Sequence, residues 1–180
     1  HLQKTSLWAQ GMWKYTKVDF FLAGQFTMDE FYRTGNVRNG VFADDSYGDS
    51  KKQSFTNPAF KGGVTYKYNG RNYFYVNGAY INRAPLFENT YVSPRTRALA
   101  VKDIKNEKIT SVEGGYLFRA PRVKARATAY MTQFDDITDT RSFYHGDFKT
   151  FVNYTLTGIS KTHSGLELAV DRSEEHTSEL

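Results

Sequence analysis

Cysteine is absent from the 180 residues, which excludes a disulfide scaffold and any thiolate metal centre. Long apolar runs are missing too, since no stretch approaches the ~18 consecutive apolar residues of a membrane-crossing helix. Histidine is scarce: His1, His145, His163 and His176 are scattered without metal-ligand spacing. No segment carries a convincing apolar stripe at helical spacing, and there is no low-complexity tract or short repeat. A basic balance of +5 could suit nucleic acid. The Lys and Arg residues, however, are spread over many segments instead of clustering, so no nucleic-acid partner is expected.

What the chain does have is aromatic residues, 13 Tyr and 14 Phe, beside a mean hydropathy of only −0.61. That mixture favours strands, and the sequence pattern agrees. From Val123, the residues Ala125, Ala127, Ala129 and Met131 alternate with Lys124, Arg126, Thr128, Tyr130 and Thr132. A period of two gives one apolar and one polar face. Seven segments alternate in this way. They run from about Thr5 to Tyr15, Asp19 to Tyr32, Phe60 to Tyr68, Asn72 to Asn82, Glu107 to Arg119, Val123 to Asp135, and Val152 to Asp171. The fold class is all-β, an antiparallel up-and-down meander of about seven long strands. Leu22, Phe26, Val64, Tyr66, Val112, Ala127 and Leu168 belong to the apolar face. Gln25, Lys67, Glu113, Arg126 and Glu167 belong to the polar one.

The connections alternate short, long, short, long, short, long. The long ones span about Thr34 to Asn57, Arg83 to Asn106 and Asp136 to Thr150. In a meander, successive connections lie at opposite ends, so all tight turns fall on one rim and all long loops on the other. Outer-membrane barrels sort their loops this way. Aromatics gather near the tight turns (Trp13, Tyr15, Phe20, Phe21, Tyr66, Tyr68, Tyr73, Phe74, Tyr75, Tyr116, Phe118), and Phe31, Tyr32, Tyr80, Tyr130 and Phe134 are expected to form a second band at the far ends. On this reading lipid covers the apolar face and a wet lumen meets the polar one.

The segment "NPAFKGGVTYKYNGRNYFYVNGAYINRAPLFENTYVSPRTR" resembles the mid-barrel region of TonB-dependent outer-membrane receptors. "EKITSVEGGYLFRAPRVKARATAYMTQFDDIT" is similar to the next strand pair, and "TGISKTHSGLELAVD" to the strand after the following loop. The likeness covers about Thr5 to Asp171 and is nearest to the branch with an N-terminal carboxypeptidase-regulatory-like domain. It implies a barrel of about 22 strands, plugged by an N-terminal domain of the same chain. Such a barrel sits in the outer membrane and imports a scarce ligand with energy relayed through TonB. The ligand classes it allows are metal chelate, vitamin, peptide and glycan. Beginning at His1 without an initiator Met, the chain reads as a fragment, residues 1–171, of such a barrel domain. Residues 172–180, "RSEEHTSEL", match a translated sequencing adapter at every position and read as a non-native tail.

Individual residues follow from this frame. Lys61, Lys67, Glu113, Lys124, Arg126, Lys161 and Glu167 are expected to face the lumen and touch the plug. In the second long loop, Arg83, Phe87, Tyr91, Arg95 and Arg97 mix aromatics with cations and are the candidate contacts for an external ligand. "DDSYGDS", Asp44 to Ser50, lacks the spaced ligands and closing Glu of a calcium loop and reads as a solvated loop. Asp135, Asp136 and Asp139 read as strand-end acids in a wet rim. No nucleophile with a nearby base can be named, so enzyme activity, a cofactor and a metal are not expected. The alternatives are a passive outer-membrane porin, which shares the loop sorting, and a secreted β-sandwich carbohydrate-binding module, which would need shorter strands.

Overall fold

A computed structural model describes residues 1–172, so all but Arg172 of the adapter-like tail lies outside the described residues. Its elements are, in chain order, β1 (Leu2–Lys14), β2 (Val18–Phe31), β3 (Thr34–Gly35), β4 (Gly48–Asp49), β5 (Gln53–Lys67), β6 (Asn72–Arg83), α1 (Phe87–Thr90), β7 (Glu107–Arg119), β8 (Val123–His145) and β9 (Thr150–Arg172). One antiparallel sheet runs β1-β2-β5-β6-β7-β8-β9, so every long strand is bonded to its neighbours along the chain. β3 and β4 pair only with each other, inside the first long loop. The single turn of α1 lies in the second. The meander is the expected one.

Two boundaries differ from expectation. β5 begins at Gln53, well before Phe60, and carries Pro58 opposite Phe26. Proline usually marks a strand end, and polar "QSFTN" hides the alternation there. The third long loop does not exist as a loop. β8 and β9 instead continue together to His145 and Thr150, where residues 146–149 turn the chain. Two opposed bulges interrupt that ladder. Between the pairs Phe134–Lys161 and Ile137–Ile159 the extra residue is on β8, with Asp136 at φ 57°. Between Ile137 and Asp139 it is on β9, with Gly158 at φ 72°. The two insertions cancel, and pairing resumes in its former register up to the tip.

Register assigns the faces. Leu7, Phe26 and Pro58 align across β1, β2 and β5, and Val64, Val76, Gly114, Ala129 and Leu166 align from β5 to β9. Leu22, Tyr66, Val112, Ala127 and Leu168 share this apolar face. The opposite face carries Gln25, Lys61, Lys67, Glu113, Lys124, Arg126, Lys161 and Glu167. Trp8 and Met12 also fall on the polar side, against the general pattern.

Burial is inverted relative to a soluble sheet. On the apolar face Leu7 is 77% exposed, Leu22 59%, Val64 49% and Leu168 74%. The buried residues of the sheet strands below the bulges are Thr27, Asp29, Phe31, Phe55, Asn57, Glu107 and Thr128, and all lie on the polar face. The polar face is also the concave one. A hollow of about 460 Å³ on it gathers Phe21, Lys61, Asn77, Glu113, Thr128 and Glu167, from β2 to β9. Those strands would span roughly 24 Å in a flat sheet, taking ~4.8 Å between neighbours, so the sheet must curve to bring them together. It is a partial barrel wall.

Aromatic placement corrects one expectation. Near the tight turns, Trp13 stacks on Phe20 at 4.9 Å and Phe74 meets Tyr116 at a tilt at 5.1 Å, all on the apolar face, whereas Phe21, Tyr73 and Tyr75 fall on the polar one. Of the far-end residues within the strands, only Tyr80 joins the apolar face. Phe31, Tyr130 and Phe134 point to the polar side, because a one-residue difference in register reverses the face.

Candidate functional site

The concave wall is held by cross-strand polar pairs. Asn77 Nδ2 donates to Glu113 Oε1 at 2.8 Å, and Tyr75 OH lies 2.6 Å from Thr128 Oγ1. Ser6 Oγ lies 2.9 Å from Thr27 Oγ1, and Asn57 Nδ2 donates to Asp29 Oδ2 at 2.7 Å. Near the tight turns Lys67 Nζ reaches Asp19 Oδ1 at 2.6 Å. Arg126 and Glu167 approach to 3.8 Å, with both side chains open to solvent. This wall offers mixed charge and many hydroxyl and amide groups. It presents no nucleophile–base pair, and among the described residues no three His, Cys, Asp or Glu side chains gather to hold a metal.

Above the wall, the two long loops pack on each other and on the polar face. Phe87 meets Phe31 edge-on at 6.1 Å and Tyr91 at 5.4 Å, while Phe31 packs on Phe55 at 5.5 Å. Tyr91 is fully buried, and its OH lies 2.9 Å from Ser50 Oγ. Arg33, 8% exposed, reaches across both loops: Nε donates to Pro94 O at 2.6 Å and Nη1 to Ser46 O at 3.0 Å. Arg97 binds Asp45 Oδ2 through Nε at 2.9 Å and Nη2 at 2.7 Å, beneath the ring of Phe42. Asn106 Nδ2 reaches Asn57 Oδ1 at 3.0 Å, fastening the second loop to β5. On its far side, Asn89 donates to Thr138 O and Asn153 to Val92 O, each at 2.7 Å.

This geometry divides the five loop candidates. Arg83 is held by buried Glu107 at 2.6 Å, Arg97 by Asp45, and Tyr91 has no exposed surface to offer a ligand. Phe87 and Arg95 line an open hollow of about 550 Å³ between the second loop and the β8–β9 ribbon, together with Thr140, Ser142 and Asn153. Arg33, Ser46 and Ser50 were invisible as a cluster in the sequence. A lone Arg in a polar stretch carries no signal that it will be buried against carbonyls. Asp45 sits in the stretch read as solvated, and its bond to Arg97 gives that stretch a structural role.

At the loop rim, Lys108 Nζ lies 2.8 Å from Asp136 Oδ2. Hydrogen bonding to Lys108 holds the Asp136 carboxyl below the ordinary carboxylate range, and the same contact raises Lys108. Asp135 accepts from Ser160 Oγ at 2.7 Å, and Asp139 pairs with Arg141 at 3.1 Å. The three aspartates are thus rim acids with local partners.

Among solved structures, the copper transporter OprC superposes with a TM-score of 0.75 over 97% of this chain at 13% identity. That match occupies 27% of OprC, so the chain spans about a quarter of that protein's length. No curated protein sequence matches. The model of the TonB dependent receptor-like β-barrel family matches residues 2–174. With an antiparallel meander, an exposed apolar face and a polar concave face, the chain belongs to that family.

Proposed function

We infer that this chain is a section of the wall of an outer-membrane receptor that imports a scarce ligand with energy relayed through TonB. The observation that carries the reading is the inverted sheet: its apolar face is bare and its buried residues lie on the polar side. Water would not leave such a face uncovered, and hydrocarbon covers it without cost. Family membership supplies the expected partners, namely a plug domain of the intact chain, TonB acting through it, and an external ligand.

Lys61, Lys67, Glu113, Lys124, Arg126, Lys161 and Glu167 face the lumen and meet the plug. Phe87 and Arg95 contact the ligand from outside, a reading supported by their position on the open hollow beside the β8–β9 ribbon. The ligand classes are a metal chelate, a vitamin, a peptide or a glycan. Uptake by cells expressing the full-length receptor, with and without the inner-membrane energy relay, tests the reading. Uptake that requires the relay is expected. Uptake that persists without it favours a passive porin.

A further inference from the structure

The two rims of the wall differ in charge. At the long-loop rim the signs are mixed and paired: Lys52 with Glu30, Arg83 with Glu107, Arg97 with Asp45, and Lys108 with Asp136. The tight-turn rim is basic. Residues 14–19, 67–72 and 119–124 hold seven Lys or Arg and one acid, Asp19, a balance of +6 against +5 for the whole chain. Asp19 is itself bonded to Lys67. Register puts Lys14, Lys67, Arg119 and Lys124 on the lumenal side. Lys17, Arg71 and Arg122, one from each turn, stand exposed at the tips.

Beside the second of these turns the apolar face is hollowed. Tyr68, Asn72, Phe74 and Tyr116 line an open apolar groove of about 430 Å³. It lies between β5 and β7, each of which is paired on both sides, so its openness does not come from a sheet edge. The turn next to it is fixed. Tyr116 OH donates to Asn72 Oδ1. Asn69 Oδ1 accepts from Asn72 Nδ2 at 2.8 Å and from the backbone N–H groups of Arg71 and Asn72 at 2.9 Å each. Arg71 therefore starts from a held backbone at the end of the groove. An aromatic hollow that ends at a guanidinium suits a molecule with an apolar chain and an anionic end, and the guanidinium fork matches phosphate oxygens.

We propose that this groove seats one membrane phospholipid with an anionic headgroup, from the leaflet at the tight-turn rim. Its acyl chain lies along Phe74 and Tyr116, and its phosphate meets Arg71. The proposal rests on the barrel reading above, which puts lipid on this face and the short turns on the periplasmic side. Cations just outside a bilayer draw anionic lipid to them, and Lys17 and Arg122 extend that attraction along the rim. A free phosphate makes no use of the aromatic groove, and a neutral lipid makes none of the rim charge.

Native mass spectrometry of the delipidated full-length receptor in neutral detergent tests this, with phosphatidylglycerol and phosphatidylcholine of identical acyl chains as probes. Heat-modifiable gel migration shows that each variant has folded as a barrel. The parent is expected to hold one phosphatidylglycerol about fivefold more tightly than phosphatidylcholine, the worth of one cation beside an anionic lipid. Arg71→Gln is expected to erase that preference, Arg71→Lys to restore part of it, and Phe74→Ala to weaken both lipids alike. Arg38→Gln, at the opposite rim, is expected to leave it unchanged. A preference that survives Arg71→Gln, or falls equally in Arg38→Gln, would show general attraction and overturn the seat. Displacement of the bound lipid by millimolar inorganic phosphate would show a plain anion site and overturn the lipid assignment. A membrane-inserted parent without any lipid preference strikes the seat alone, whereas a parent recovered in the soluble fraction of cells removes the barrel reading as well.

Discussion

Tyr75 lies directly opposite Gly115 across β6 and β7, and its ring occupies the space a side chain at Gly115 would need. A Cβ placed there would come within 2.6 Å of the Tyr75 hydroxyl and within 2.6 Å of Ala127 O. The glycine lets the tyrosine lie flat along the wall and reach Thr128 two strands away. The same device recurs where Tyr130 lies over Gly165.

Gly115→Val in the intact receptor should therefore destabilise the barrel by about 1–3 kcal/mol, the usual cost of forcing atoms into a filled space. Tyr75→Phe removes only the hydroxyl bond to buried Thr128 and should cost about 1 kcal/mol. Urea-driven unfolding in lipid measures both. A Gly115→Val barrel as stable as the parent would show that Tyr75 does not rest where it is described.

Faces give a second expectation. Ala127 and Arg126 are adjacent in β8 and point to opposite sides of the wall. Ala127→Arg carries a charge into hydrocarbon and should cost about 2–4 kcal/mol if that position lies near the midplane. Arg126→Ala removes a solvent-exposed group whose nearest carboxylate, Glu167, is 3.8 Å away, and such exposed pairs contribute little. Refolding titrations into lipid vesicles compare the two directly, and equal effects would be incompatible with lipid on the alanine side.

How far the sequence carried the fold depends on what each segment had to hide. β7 was legible to the residue, because Val112, Gly114, Tyr116 and Phe118 alternate cleanly with polar neighbours. The start of β5 was not legible, since Phe55 and Asn57 are buried against a loop and Pro58 interrupts the pattern. The segment from about Asp136 to Thr150 was read as a loop, with Asp135, Asp136 and Asp139 as acids at a strand end. In the structure Asp136 takes a left-handed bulge, and Gly158 compensates across the ladder. The loop cluster was least legible of all. Arg33 and Ser50 meet Pro94 and Tyr91 only after the chain has folded, and no local pattern encodes contacts across 41 to 61 residues.

The rim pair Lys108–Asp136 should show in the pH dependence of stability. Asp136 titrates below its ordinary range when folded, so its contribution is present above the ordinary carboxylate pKa and is lost as pH falls through the folded value. Lys108 is raised, so its part is present at neutral pH and is lost as pH rises through its folded value, above the ordinary lysine range. Asp136→Asn is the informative change, because Asn tolerates the left-handed backbone at φ 57° while removing the charge. The variant should match the parent in strongly acid solution and fall below it between about pH 4 and 9, a window set by ordinary Asp and Lys values. Parallel stability curves across that range would mean that the pair contributes nothing.

Arg33 should prove the main fastener between the two loops. Its guanidinium serves Pro94 O and Ser46 O at once, and its own backbone N–H donates to Ser50 Oγ at 2.9 Å. A lysine ammonium is a compact point charge and cannot reproduce that fork, so Arg33→Lys should recover only part of the loss seen in Arg33→Ala. The alanine variant leaves two carbonyls short of a partner in a buried setting, at about 1–3 kcal/mol for each. That cost falls on the loops and not on the barrel, because the strands keep their own ladders. The expected result is a receptor with unchanged barrel unfolding in which trypsin cuts at least tenfold faster after Arg95 and Arg97, since each ~1.4 kcal/mol of easier local opening is a factor of ten. Arg38→Ala, at an exposed position whose guanidinium sits over the Tyr47 ring, should leave cleavage unchanged. Identical digestion of the Arg33→Ala and Arg38→Ala receptors would mean that the two loops are held together by Tyr91 and the Asp45–Arg97 pair without help from Arg33.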